Sequence, residues 1–253
     1  MNIILLGSGR VATQLGQALH KAGASFLQVY SRTQDHAAKL AAKLNCESIS
    51  DSSKLRLDAD LYILSVTDDA LPALAQQLSL KDRLVVHTSG STPMSVLEPA
   101  SNKIGVFYPL QTFSHEKEVD FSVIPLIIES NNPESLILLK DFAAKLSTKV
   151  LELDSAQRLI LHVAAVFACN FSNHMYAIAQ ELLATRQLDF DLIRPLIAET
   201  AAKVHFNLPI EVQTGPAIRN DKLTIQKHLD SLKDQPQLQE IYRLLSQSIV
   251  NLR

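Results

Sequence analysis

The chain has 253 residues, 24 basic against 26 acidic side chains for a formal charge of −2, and is 47% hydrophobic and 20% charged. This is ordinary globular composition, and at such a length about three quarters of the unfolded surface can be buried without disulfides or metals. Near-neutral charge with no run of Lys or Arg argues against nucleic acid or an anionic membrane as the main partner.

Cys46 and Cys169 lie far apart and beside no His cluster, which suggests neither a metal site nor a disulfide but two reduced thiols in a cytoplasm. The apolar run at residues 3–6 is too short for a signal peptide. The longest apolar stretch, residues 159–169, is well below the roughly 18 residues of a membrane span. A soluble cytoplasmic protein is expected.

In chain order, strands are expected at residues 2–6, 26–30, 61–66, 84–87, 104–107, 124–128 and 149–151, alternating with helical patterns. Such alternation builds a parallel sheet covered by helices on both faces. After Asp154 the strand signals stop. The spacing then predicts one long helix over residues 155–186, helical segments around 190–207 and 223–232, and a final helix over 237–250. The domain division is placed at residues 1–153, a doubly wound α/β domain, and 154–253, an all-α domain.

The strongest signal is Gly7-Ser8-Gly9-Arg10-Val11-Ala12, which fits the GxGxxG/A dinucleotide fingerprint directly after a strand and opening a helix. Gly7 permits the tight turn, Gly9 lets a pyrophosphate approach the backbone, and Ala12 lets the helix pack closely on the strand. Seven glycines in the whole chain is a low number, so two of them here carry weight. A Rossmann nucleotide-binding domain is expected, with Gly7, Ser8, Gly9, Arg10 and Val11 against the cofactor phosphates.

An NAD-binding domain would place an acid at the end of its second strand to hold the ribose hydroxyls. Here that strand ends in Ser31-Arg32, a hydroxyl and a guanidinium that suit a 2′-phosphate, so NADPH is preferred over NADH. The alternative is a solvated Arg32 near Asp35. Two later strand ends, Ser65-Val66-Thr67-Asp68 and His87-Thr88-Ser89-Gly90-Ser91, should line the same crevice. Ser65, Val66, Thr67 and Ser89 are taken as cofactor-binding candidates, although Thr67, Asp68, Ser91 and Thr92 would serve equally as caps. Tyr108 and Gln111 follow the next strand as polar groups facing a substrate.

The segments GSGRVA, SVTDDAL, HTSGSTP, FYPLQTF, HVAAVFACNFSNHMY and TGPAIRND, in that order, resemble the NADP-dependent oxidoreductases that join a Rossmann domain to a helical C-terminal domain of unassigned function. These are relatives of pyrroline-5-carboxylate reductase and of the β-hydroxyacid and 6-phosphogluconate dehydrogenases. The resemblance implies a helical domain that dimerises and closes a substrate pocket over the nicotinamide. The related β-hydroxyacid dehydrogenases use a lysine four residues before an asparagine, and this chain has Val166 before Asn170 and Cys169 before Asn173. Lys203 and Asn207 have the spacing but stand at a helix end, where a lysine complements the dipole.

The long helix carries Ile160, Val163, Phe167, Phe171, Ile178 and Leu182 along an apolar seam. At about 100° per residue, Asn173 falls about 20° from His162, Asn170 about 80° and His174 about 120° away, which makes one polar stripe. The stripe either contacts substrate or bonds across a helix or subunit interface. Arg219, just before Asp221 as the N-cap of the next helix, is an anion site for a substrate carboxylate or else a partner of Asp221. His228, one turn after Thr224, is a further candidate facing that pocket. His162, Asn170, Asn173, His174 and Arg219 are therefore the catalytic candidates, with no metal. The expected activity is hydride transfer between NADP and a small carbonyl, imine or hydroxy acid in a homodimer. The alternative is a non-catalytic NADP-binding sensor or scaffold.

Overall fold

The computed structural model describes residues 1–114 and 119–252. The chain divides into two compact units, Met1–His174 and Met175–Arg253.

The first unit is built on a sheet of eight strands: β1 (Asn2–Leu6), β2 (Ser25–Tyr30), β3 (Glu47–Ile49), β4 (Leu61–Leu64), β5 (Lys81–His87), β6 (Ser101–Pro109), β7 (Leu126–Ser130) and β8 (Val150–Glu152). Their order is β3-β2-β1-β4-β5-β6-β7-β8. Its helices are α1 (Arg10–Lys21), α2 (Gln34–Leu44), α3 (Leu71–Gln77), α4 (Pro133–Ala144) and α5 (Ser155–Ala165). Strands covered on both faces lose the usual alternation and become wholly apolar. Ile3, Ile4, Leu5 and Leu6 of β1 are all fully buried. Successive residues still point to opposite faces. Ile3 and Leu5 join Leu15 and Leu19 of α1 and Leu40 and Leu44 of α2. Ile4 and Leu6 join Leu71 and Leu74 of α3 and Leu97 on the other side.

The order reverses between β1 and β4, and that switch point opens a crevice at the carboxyl ends of the strands. Two features depart from the expected sheet. Strand β3 carries the polar sequence Glu47-Ser48, so no apolar run marks it. Strand β7 pairs antiparallel to β6, with Pro109 opposite Leu126, because the described residues between them contain no crossover helix to return the chain to the starting edge.

The expected single helix over 155–186 is α5, a π-helical turn at Val166–Phe171, and α6 (Ser172–Ala184). Asp154 opens α5 with a capping box, accepting from Gln157 N at 2.8 Å while Gln157 Oε1 accepts from Asp154 N at 3.1 Å.

The second unit holds α7 (Arg194–Lys203), α8 (Lys222–Ser231) and α9 (Pro236–Asn251). The segment expected over 190–207 is a 3-10 turn at Phe190–Leu192 followed by the shorter α7. Asp221 caps α8, accepting from Thr224 N at 3.0 Å and Thr224 Oγ1 at 2.8 Å. Among the described residues no helix is long and apolar enough to cross a membrane.

Candidate active site

The fingerprint turn has the geometry its residue types imply. Gly7 sits at φ +125°, and a Cβ there would stand 2.0 Å from the Ser65 carbonyl oxygen. Only glycine satisfies both the conformation and the approach of β4. Gly7 N–H donates to Tyr30 O at 2.8 Å, holding the turn against the end of β2. Gly9 is the N-cap of α1, with φ −73°, no side-chain cap and no acidic residue in the first turn. A Cβ on Gly9 would meet nothing within 4 Å. The first N–H groups of α1 therefore face open space with the helix dipole behind them, an arrangement that attracts phosphate.

Beside this turn, Ser8 Oγ donates to Ser31 Oγ at 2.8 Å. Arg10 and Arg32 are exposed, and among the described residues neither is held in an ion pair. Val11 packs against the core beneath. Helix α2 also begins without a side-chain cap, at Thr33. The residues present thus fit a dinucleotide with a 2′-phosphate: an open helix start for the pyrophosphate, and Ser31 with Arg32 beyond it.

At the next strand ends, Ser65 is buried and its Oγ accepts from Thr88 Oγ1 at 3.1 Å. Val66 is half-buried, and Thr67 is exposed without capping the 3-10 turn that follows it. Asp68 accepts from Ser91 Oγ. Ser89 Oγ accepts from Ser91 N at 3.2 Å and Thr92 N at 3.0 Å and donates to Thr92 Oγ1 at 3.0 Å, so its hydroxyl shapes the turn. His87 is fully buried, its Nδ1 accepting from Ser89 N at 3.1 Å. Burial, and then the nearby Arg158 guanidinium, push the His87 pKa down to about 4.

A second constellation lies where β6 ends. Tyr108 Oη and His162 Nδ1 are 3.1 Å apart, their rings edge to face at 72°. A Cβ on Gly90 would stand 2.6 Å from His162 Nδ1 and 2.7 Å from Tyr108 Cζ. One turn before His162, the fully buried Arg158 pairs through Nη1 with Glu129 of β7 and donates through Nη2 to Thr92 O at 2.6 Å. Glu129 also accepts from Ser155 N at 3.1 Å and Ser155 Oγ at 3.0 Å. The start of α5 is thereby tied both to the sheet and to the β5 turn.

Asn170 and Asn173 line a cavity of about 560 Å³ with Gln111, Thr112, Ser114 and Cys169. Its wall is braced by Gln14 of α1, whose Nε2 donates to Ser114 O at 3.1 Å. His162 and His174 are not among its lining residues. The π turn at Val166–Phe171 admits about one more residue per turn than an α-helix and sets later side chains back by roughly 100°, which moves Asn173 from about 20° to about 80° away from His162. Of the stripe drawn through His162, Asn170, Asn173 and His174, the two asparagines line the cavity, His162 meets Tyr108, and His174 is exposed.

In the second unit Arg219 is exposed and makes no ion pair among the described residues, and Asp221 already caps the helix start that Arg219 was expected to serve. His228 is taken by Tyr242, Nδ1 to Oη at 2.8 Å. Lys203 pairs with Glu199 at 3.3 Å, and Asn207 Nδ2 donates to Lys203 O at 3.1 Å, both features of a helix end.

Sequence reasoning missed Glu129, Arg158 and the role of Gly90. The available signals were an arginine in the first turn of an otherwise apolar helix and a glycine in a chain that has few.

An open glycine turn at the switch point of a doubly wound sheet defines a Rossmann-type dinucleotide-binding protein. Residues 2–90 match the family described as NADP oxidoreductase, coenzyme F420-dependent, and residues 124–249 match a domain of unknown function, DUF2520. No curated protein matches. The crystal structure of a Bacteroides fragilis protein described as an NADP oxidoreductase is 48% identical, superposes with a TM-score of 0.92, and covers 99% of this chain and 98% of its own. The chain belongs to this NADP oxidoreductase family.

More distant structures share the fold. A reductive aminase from Aspergillus terreus, in complex with NADPH and ethyl-5-oxohexanoate, is 13% identical with a TM-score of 0.75, covering 99% of this chain and 93% of its own. A 1-pyrroline-5-carboxylate reductase from Streptococcus pyogenes is 9% identical with a TM-score of 0.65, covering 99% and 98%.

Proposed function

We propose that the protein is an NADP-dependent reductase that transfers hydride between the nicotinamide and a small carbonyl, imine or hydroxy acid, working as a cytoplasmic homodimer. The carrying observation is the open start of α1 at Gly9, next to the Ser8–Ser31 bridge and an uncommitted Arg32. Backbone N–H groups of residues 7–11 would hold the pyrophosphate, and Ser31 with Arg32 the 2′-phosphate, which favours NADPH over NADH. Ser65, Val66, Thr67 and the turn shaped by Ser89 would line the nicotinamide side of the crevice.

When bound, NADPH supplies the hydride. The chain's own residues position the acceptor and manage the proton. Asn170 and Asn173, with Gln111 in the same cavity, offer amide donors and acceptors to orient a polar substrate group. His162 holds a proton toward the substrate heteroatom, the role that imidazole fills best near neutral pH. A homodimer is supported by the apolar seam of the long helix, where Ile160 is 70% and Phe167 65% exposed within one chain.

The test is NADPH consumption against a panel of cyclic imines, 2-oxo acids and hydroxy acids, repeated with His162→Ala and Asn170→Ala. Turnover abolished by both substitutions is the expected result. Cofactor binding without turnover on any of them would favour a non-catalytic NADP-binding protein.

A further inference from the structure

We propose that Tyr108 is a positioning residue that fixes His162 in the tautomer carrying its proton on Nε2, leaving Nε2–H as the ring's one free donor. This rests on the reading above in which His162 serves the substrate heteroatom, and it specifies the role: the neutral ring donates a hydrogen bond through Nε2–H to that atom while keeping its proton.

Tyr108 is 9% exposed, and among the described residues its hydroxyl has a single hydrogen-bond partner, His162 Nδ1 at 3.1 Å. A phenol carries one donor. If Nδ1 held the proton it would donate to Tyr108 Oη, and the phenolic hydrogen would be left buried with no acceptor, which folded proteins avoid. With the phenol donating, both atoms are satisfied. Burial also raises the Tyr108 pKa and keeps its proton in place; of the charges acting on it, the Arg158 guanidinium of α5 pulls the other way and the Asp68 carboxylate after β4 reinforces the rise.

The surroundings hold the pair in register. Tyr108 is clamped in β6 opposite Ile127 of β7. α5 is fixed at its start by the buried Arg158–Glu129 pair. Gly90 supplies the space: any side chain there would press within 2.6 Å of Nδ1 and 2.7 Å of the phenol ring. Gly90 has no positive φ, so the requirement is for room. The second ring nitrogen makes no hydrogen bond among the described residues, which leaves it for a ligand.

The tautomer is read directly by long-range ¹H–¹⁵N correlation of the His162 ring in the full chain at about pH 8. Wild type should show a protonated Nε2 and a bare Nδ1, and Tyr108→Phe should shift the ring to a mixture of tautomers. A wild-type ring protonated on Nδ1, or a ring that Tyr108→Phe leaves unchanged, overturns the proposal. The wild-type spectrum alone decides the first point, so a variant that fails to fold does not shield it. With a substrate in hand, Tyr108→Phe should lower kcat at least tenfold with little change in KM. A tautomer change without loss of kcat would leave the tautomer assignment standing and remove the Nε2–H donor from the reaction.

Discussion

Ser8 and Ser31, 23 residues apart, meet through a 2.8 Å hydrogen bond in which the Ser8 hydroxyl donates to that of Ser31. The bond joins the loops leaving β1 and β2 into one rim, with the uncommitted Arg32 at its edge. A 2′-phosphate there would gain charge-assisted bonds that a 2′-hydroxyl cannot make. Arg32→Ala should therefore weaken NADPH binding by about ten- to hundredfold, the worth of one such bond, and leave NADH binding nearly unchanged. Equal losses for both cofactors in a fluorescence titration would remove Arg32 from the phosphate site.

The two fingerprint glycines should behave oppositely when changed to alanine. At Gly7 an added Cβ collides with the Ser65 carbonyl in a left-handed backbone, so Gly7→Ala should destabilise the fold by about 2 kcal/mol or more. At Gly9 the backbone is ordinary and the space open, so Gly9→Ala should melt like wild type yet bind NADPH at least about tenfold more weakly, by intruding on the pyrophosphate. Thermal denaturation together with a binding titration separates the two effects.

Buried His87 makes stability depend on pH. Its pKa is about 4 in the folded chain and about 6.5 when unfolded. Above the unfolded value both states are neutral and His87 contributes no slope. As pH falls from about 6.5 to about 4 the unfolded state takes up the proton first, so stability should decline over that window by about 3 kcal/mol, then level off. Urea denaturation across this range should show the decline, and His87→Gln should flatten that part of it. An unchanged slope in the variant would assign the acid sensitivity elsewhere.

The proposed homodimer depends on the seam of exposed apolar residues on the long helix. Phe167 and Phe171 lie edge to face with centroids 5.0 Å apart, and both are exposed within one chain. A carboxylate buried among such groups in an interface is costly. Phe167→Asp should convert a dimer into a monomer in sedimentation velocity. A monomeric wild-type protein at micromolar concentration would remove the seam from any self-association.

The legible parts of the molecule were those whose constraints are local. β1, the glycine turn and α1 lie in one short stretch, where φ at Gly7 and the packing of Ala12 allow few residue types. The Asp221 cap was legible for the same reason. Strand β3 was not, because Glu47 and Ser48 at a short edge bury little apolar surface. The direction of β7 was hidden because an apolar run looks the same in either orientation. The π turn was hidden because a period of 3.6 residues is assumed whenever side chains are assigned to helix faces, and that assumption placed His162 and Asn173 together. The Tyr108–His162 pair spans 54 residues and the Arg158–Glu129 pair 29. Such contacts follow from the order of strands, which no single stretch of sequence encodes.

The most direct test of the account is calorimetric titration of the purified protein with NADPH and with NADH. The open start of α1, the Ser8–Ser31 bridge and Arg32 together predict tight binding of NADPH and at least about tenfold weaker binding of NADH. Binding of neither cofactor would contradict the account and leave the glycine turn without its proposed ligand.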